Sequence, residues 1–373
     1  MKITHLLIIL FLLSTACSQK QESETNRVAL AYVTSWSSIM PDTDDITHIN
    51  YAFGHVNESF NGVMINRSSR PNSNNANDVR ATSEDRLRSI VELKKQKPTL
   101  KILLSIGGWG SGRFSEMAAD EPNRLAFAAD CQRVVQEFGL DGIDLDWEYP
   151  TSSMSGISSS PDDMNNFTLL MRDIRNAIGK DKLLTFASAA NAKYVDFVAV
   201  EPYVDFVNIM TYDINVDGYA HHAGLFRSEL TGNGHSCEES VNLHVEAGIP
   251  IHKLVLGMPF YGHGRDSVPR SITFRNMIIR NDVTGVGLVN RRDIVHLKGH
   301  RDMWDDEAKV PYWVDSDGKF VLSYENTKSI AIKCEWLNQK GMLGAMYWEY
   351  SGDDDHGTLR KAVYDGVINF KIR

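Results

Sequence analysis

Eight short runs rich in β-branched and aromatic residues recur along the chain, and longer stretches with helical periodicity lie between them. They start at Val28 (VALAYVTSW), Ile46 (ITHINYAF), Leu100 (LKILLSIGG), Gly142 (GIDLDWE), Leu183 (LLTFASA), Val204 (VDFVNIMTY), Lys253 (KLVLGMPFY) and Met342 (MLGAMYW). SEDRLRSIVELKKQ and RLAFAADCQRVVQEFG are two of the intervening helical segments. A strand, a helix and another strand in succession favour parallel pairing through right-handed crossovers. Eight such units in 373 residues predict an α/β fold, a closed (β/α)8 TIM barrel over residues 28–373. An open doubly wound sheet is the alternative, but no GxGxxG follows the first strand. The interval between the seventh and eighth runs is too long for one helix and carries turn signals between β-like stretches. A small α+β insertion is therefore expected at about residues 263–324. The Asn- and Ser-rich segment 67–78, RSSRPNSNNAND, reads as a long loop after the second strand.

A net charge of −9 with no long basic run argues against a nucleic-acid partner and suits an uncharged substrate. At the start, Lys2, the apolar stretch Leu6 to Leu13 and the small residues Ser14 to Ala16 form an export-type leader, residues 1–16. The apolar stretch is too short to span a bilayer. The pattern before Cys17 resembles a bacterial lipoprotein signal, which implies lipidation at Cys17; a plain secretory signal is the alternative. Residues 17–27 then read as a flexible tether. Cys131, Cys237 and Cys334 are far apart, with no CxxC spacing, and read as buried free thiols, one disulfide being the alternative.

The fourth run, DGIDLDWEYP, alternates Asp144, Asp146 and Glu148 with Ile143, Leu145 and Trp147. On a strand the two sets face opposite sides. A wet acidic face on a half-exposed strand is the plain explanation, but a parallel barrel strand is covered on both sides. Three carboxylates in such a place cannot all ionise cheaply, so at least one should hold its proton at neutral pH. A carboxylic acid with a raised pKa is what general acid catalysis requires. The order suggests a ladder, Asp144 deepest, Asp146 between, and Glu148 nearest the C-terminal mouth where barrel enzymes do chemistry.

The run also resembles the DxxDxDxE signature of family 18 glycoside hydrolases, the chitinases and related endo-β-N-acetylglucosaminidases, at Asp141, Asp144, Asp146 and Glu148. SIGGW from Ser105, MTYD from Met210, GMPFYG from Gly257 and YWEYSGDD from Tyr347 resemble the family's other strand-end motifs, in family order. The resemblance implies retaining hydrolysis of a β-1,4 link beside N-acetylglucosamine, with the substrate's own acetamido oxygen as nucleophile. It implies Glu148 as general acid and base, and Asp146 as the group that orients and stabilises the acetamido nitrogen. Asp144 would hold Asp146, Tyr212 would bond the acetamido carbonyl, Asp213 would bind the sugar, and Trp348 would lie beneath the ring. No metal or cofactor is implied.

Plain readings compete at other positions. The glycines of SIGG make a tight turn, while Ser105 divides evenly between that turn and direct help. Met210 reads as packing near the site, and Tyr32 and Phe53 as core or pocket walls. Trp109, just past SIGG, reads as a sugar-stacking residue, Asp141 as structural, and His221 and His222 as solvated loop residues without metal-like partners. Two departures bear on subsites: INVDGYAHHAG lacks the family's usual Gly-Trp, and His263 stands where an arginine is common. The chain is thus read as a monomeric chitin-cleaving hydrolase, lipid-anchored in a bacterial envelope at the outer membrane or cell surface, or otherwise secreted. An endo-β-N-acetylglucosaminidase acting on N-glycan chitobiose cores is the alternative, and a non-catalytic chitin-binding lectin a further one.

Overall fold

A computed structural model describes residues 27–65, 83–215, 220–266, 268–277, 280–282, 285–287 and 300–370. The leader, Cys17, nearly all of the tether and the loop at 67–78 lie outside these residues. The eight strands are β1 Val28–Thr34, β2 His48–Val56, β3 Lys101–Gly107, β4 Gly142–Asp146, β5 Leu183–Ala189, β6 Phe206–Met210, β7 Leu254–Pro259 and β8 Gly344–Trp348. Each pairs in parallel with its sequence neighbour, and β1 pairs with β8, which closes the barrel. Helices α1 Ser83–Val91, α2 Phe114–Ala119, α3 Glu121–Phe138, α4 Asp163–Ile178, α5 Phe197–Val200, α6 Cys237–Glu246, α7 Thr327–Lys340 and α8 Thr358–Val367 supply the outer layer. Among the described residues no helix is long and apolar enough to cross a membrane.

The sequence cuts these helices at definite points. Asp120 caps α3, its carboxylate accepting from the Asn123 amide at 2.9 Å, and Gly139 ends it with φ 68°. Asn326 and Ser329 form a reciprocal cap at the start of α7, and Gly341 ends it.

Two layers of core follow from strand alternation. Ile143, Leu145 and Trp147 point outward into the layer between strands and helices, where Trp147 stacks on Phe114 with ring centroids 5.3 Å apart. Inside the barrel Leu30, Tyr32, Ala52, Phe53, Phe206, Tyr212, Val255 and Met346 pack together. Between β7 and α7 the chain leaves the barrel and forms a five-stranded antiparallel sheet, in the order 272–273, 261–264, 320–323, 310–314 and 301–305. Val268, Ile272, Trp313, Val321, Leu322 and Tyr324 give it a small core of its own. Its described part is strand with one 3-10 turn at Phe274–Asn276, beside a two-stranded ribbon at 280–282 and 285–287. Cys131, Cys237 and Cys334 are buried free thiols, one each on α3, α6 and α7, and no disulfide joins them.

Candidate active site

The acidic ladder is built from β4 upward. Asp144 is fully buried, and four neutral donors converge on it, from the flanking strands β3 and β5 and from β6 and β1. Thr185 Oγ1 and Asn208 Nδ2 donate to Oδ1 at 2.6 and 3.1 Å, and Ser105 Oγ and Tyr32 Oη donate to Oδ2 at 2.8 and 2.9 Å. Burial raises its pKa, and these four bonds oppose the rise. Asp146, at the end of β4, is also buried, and its Oδ1 has no hydrogen-bond partner. Burial, then the charge of Glu148, then that of Asp144 push its pKa well above the ordinary carboxylate range. Glu148 follows, 8 % exposed, and burial lifts its pKa to about 7. Burial thus raises the pKa of all three acids, and one oxygen of the middle member is left without a partner among the described residues.

Glycines let the strands approach this closely. A Cβ on Gly107 would stand 2.0 Å from the Asp146 carbonyl oxygen, and one on Gly108 would stand 2.6 Å from the Phe53 ring. Both residues have positive φ, 131° and 93°. Ser105, read as either turn or direct help, and Tyr32, read as core or pocket wall, both lie buried: Ser105 is wholly buried, Tyr32 is 2 % exposed, and both hydroxyls are used on Asp144. Asp141 is a brace away from the ladder, accepting from the Lys94 ammonium at 2.7 Å and the Ile102 amide at 2.9 Å.

Around the ladder, Trp348 ends β8 partly open, its ring stacked on Phe53 at 5.6 Å and tilted against Tyr32 at 5.7 Å. Phe53 and Trp348 line one side of a cavity of about 600 Å3 that extends past Gly108 to Trp109 and Arg113. Trp36 and Trp109 stand exposed on it, at 58 % and 60 %. Trp36 was given no role by the sequence, although its place just after β1 puts it at the same mouth. Tyr149 and Tyr194 stack on each other at 4.8 Å, with Trp109 edge-on to Tyr149 at 6.4 Å. Tyr212 is 9 % exposed, and among the described residues its hydroxyl has only the Met346 sulfur, 4.0 Å away, as an acceptor. Met210 is half-buried at the end of β6, against the inner core.

Asp213 adopts φ 55° and gathers an arrangement that the sequence did not suggest. Its Oδ1 lies 2.6 Å from Tyr261 Oη, 2.6 Å from His263 Nε2 and 3.4 Å from His222 Nδ1. Burial pushes its pKa up, but the two histidines beside it, His222 and His263, outweigh this and hold it well below the ordinary range. His221 and His222, expected as solvated loop residues, are both buried. The insertion covers them: His221 Nε2 meets Asp305 Oδ2 at 3.0 Å, and Ser323 Oγ accepts from the His222 amide at 3.1 Å. His222 further has the partners of a metal-ligating group, Asp213 and His263, which corrects the expectation that it has none. Tyr261, inside the GMPFYG motif, and His263, just after it, alternate along one strand, and that period of two was the available signal.

The model of the glycosyl hydrolases of family 18 matches residues 28–353. Chitinase A1 of Niallia circulans is 31% identical, covering 90% of this chain and 57% of that protein, so the chain spans little more than half of that relative. Among solved structures, a family 18 N-acetylglucosaminidase from Paenibacillus barengoltzii superposes with a TM-score of 0.74 at 34% identity, over 91% of this chain and 99% of that one. A chitinase from Paenibacillus sp. str. FPU-7, described as cell-surface-expressed and multi-modular, gives 0.76 at 30% identity, over 90% of this chain and 42% of that one.

Proposed function

The chain belongs to the glycosyl hydrolases of family 18, and from that premise we propose that it cleaves β-1,4 links beside N-acetylglucosamine, in chitin or its oligosaccharides, with retention. The observation that carries the proposal is the buried ladder of Asp144, Asp146 and Glu148, with Glu148 lifted to about 7 by burial. A carboxylic acid poised there can give its proton to a glycosidic oxygen near neutral pH and take one back from water afterwards. The substrate's acetamido oxygen attacks the anomeric carbon, as the family resemblance implies, and no enzyme carboxylate serves as nucleophile. Asp146, with its unpartnered oxygen, accepts the acetamido N–H and stabilises the positive charge that forms. The charge of Asp144, held from four sides, disfavours ionisation of Asp146. The free Tyr212 hydroxyl donates to the acetamido carbonyl, Trp348 supports the sugar ring, and Asp213 binds the sugar. Trp109 and Trp36 extend the stacking surface along the cleft.

Release of N-acetylglucosamine units by an N-acetylglucosaminidase is a second reading, favoured by the Paenibacillus barengoltzii relative whose whole length this chain matches. Lipid anchorage at Cys17 on a bacterial surface is supported by the leader pattern, and the Paenibacillus sp. str. FPU-7 chitinase is an example of a surface-expressed relative. The net charge of −9 supports a neutral glycan partner and no nucleic acid, and a monomer is proposed.

The test is mass spectrometry of products from chitin oligomers and from a high-mannose glycopeptide, with Glu148→Gln alongside. Short oligomers from the parent and none from the variant support the chitinase reading. Single sugars alone support the second reading. Cleavage of the glycopeptide only, leaving one sugar on the peptide, moves the substrate to N-glycans. Binding without product from either substrate would leave a lectin.

A further inference from the structure

Asp213, His222 and His263 bring three ligand atoms within 4.8 Å of one another, where the end of β6 meets the inserted sheet. The hydrogen bonds around them are incomplete when both rings are neutral. His263 Nδ1 lies 3.1 Å from the Arg270 carbonyl, which can only accept, so Nδ1 carries the proton and Nε2 turns toward Asp213 Oδ1 at 2.6 Å. In a neutral ring that places a lone pair against a carboxylate oxygen. His222 is wholly buried, and among the described residues neither of its ring nitrogens has a hydrogen-bond partner, although Nδ1 stands 3.4 Å from the same oxygen. A buried imidazole with both nitrogens idle is costly. A proton shared with Asp213 relieves one of the two rings, whereas a metal ion satisfies both.

We propose that Asp213, His222 and His263 bind one zinc-class divalent cation at the edge of the cleft. Two imidazoles and a carboxylate suit Zn2+ and neighbouring late transition ions, whereas Mg2+ and Ca2+ prefer oxygen alone. Zinc bonds of roughly 2.0–2.1 Å place tetrahedral ligands about 3.3 Å apart. The separations here, 2.6 and 3.4 Å with all pairs inside 4.8 Å, straddle that value. The Nδ1 bond of His263 to a backbone carbonyl is the kind of outer support that orients metal-ligating histidines. Three protein ligands leave the fourth position to water or a sugar hydroxyl. The site shares Asp213 with the proposed sugar binding, and metal uptake tests it apart from hydrolysis.

The test is titration of the EDTA-treated protein with Co2+, read by visible absorption, and with Zn2+ and Mg2+, read by calorimetry. One Co2+ per chain with the absorption of a four-coordinate ion, displaced by Zn2+ and not by Mg2+, is expected. His263→Arg and Asp213→Asn should each weaken Zn2+ binding at least tenfold. His263 lies at the rim with 12% of its side chain exposed, and circular dichroism confirms that the variants are folded. No uptake by the parent, or uptake that both folded variants retain, overturns the proposal.

Discussion

Asp144 spends both carboxylate oxygens on Thr185, Asn208, Ser105 and Tyr32, so its removal leaves four buried donors without an acceptor. Asp144→Ala is expected to destabilise the fold by several kcal/mol, about 1–3 for each hydroxyl or amide stranded without water. A lowered midpoint in urea unfolding, with an unchanged slope, is the check. Glu148 behaves in the opposite sense. Its pKa in the folded chain is about 7, above the ordinary 4.5, so the protonated form is the one the fold favours. That stability is fully present below about 4.5 and is lost as pH rises through about 7. Glu148→Gln should therefore raise stability at pH 8 by at most on the order of 3 kcal/mol, read as a higher melting temperature, with the gain shrinking toward pH 4. The same variant should lose turnover by roughly 10²- to 10⁴-fold. In the parent, kcat/KM is expected to fall about tenfold per pH unit above the Glu148 pKa as the acid form disappears. A flat profile from pH 6 to 9 would contradict the acid role.

Where β3 and β4 meet, the site depends on backbone reaching backbone rather than on side chains. Gly107 approaches the Asp146 carbonyl so closely that an added Cβ would sit 2.0 Å from it, at a φ of 131° that side chains avoid. Gly142, at the base of β4, has the same relation to the Leu183 carbonyl oxygen, also 2.0 Å. Gly107→Ala must push β3 away from β4 and carry Asp146 with it. The expected result is a loss of roughly 2–4 kcal/mol in stability together with reduced turnover, whereas Gly139→Ala, whose Cβ would have nothing within 4 Å, should retain turnover. Thermal melts and rates on the same preparations separate the two. These strands were legible from sequence because parallel barrel strands, covered on both faces, read as compact apolar runs. The acidic strand stood out for breaking that rule. Its first two acids lie within β4, and Glu148 lies past the strand's end, at the rim.

Across the whole molecule, the barrel and its closure could be read from element order, and the place of an insertion from one overlong interval, but not that its described part is a sheet. The grouping of Asp213 with His222 and His263 could not, because it depends on how the inserted sheet folds back over the barrel. Asp213 and His263 are 50 residues apart in the chain, and no local pattern at INVDGYAHHAG tells a buried histidine from a wet one. Trp36 and Trp109 escaped or fitted expectation for a related reason: an exposed tryptophan is informative only beside a groove. Because that groove runs from Trp348 out to Trp109, Trp109→Ala should weaken long oligomers more than short ones. A KM about tenfold higher for a long oligomer, with a dimer analogue nearly unaffected, is the expected split; equal loss for both would place Trp109 outside the sugar path. The thiols of Cys131, Cys237 and Cys334 have a further consequence. Burial pushes Cys131 far up and Cys334 to about 12, so both are inert while their surroundings stay closed. Placed on α3, α6 and α7, the three form a set of built-in alarms around the ring of helices. The order in which a thiol reagent reaches them tells which sector of the barrel opens first.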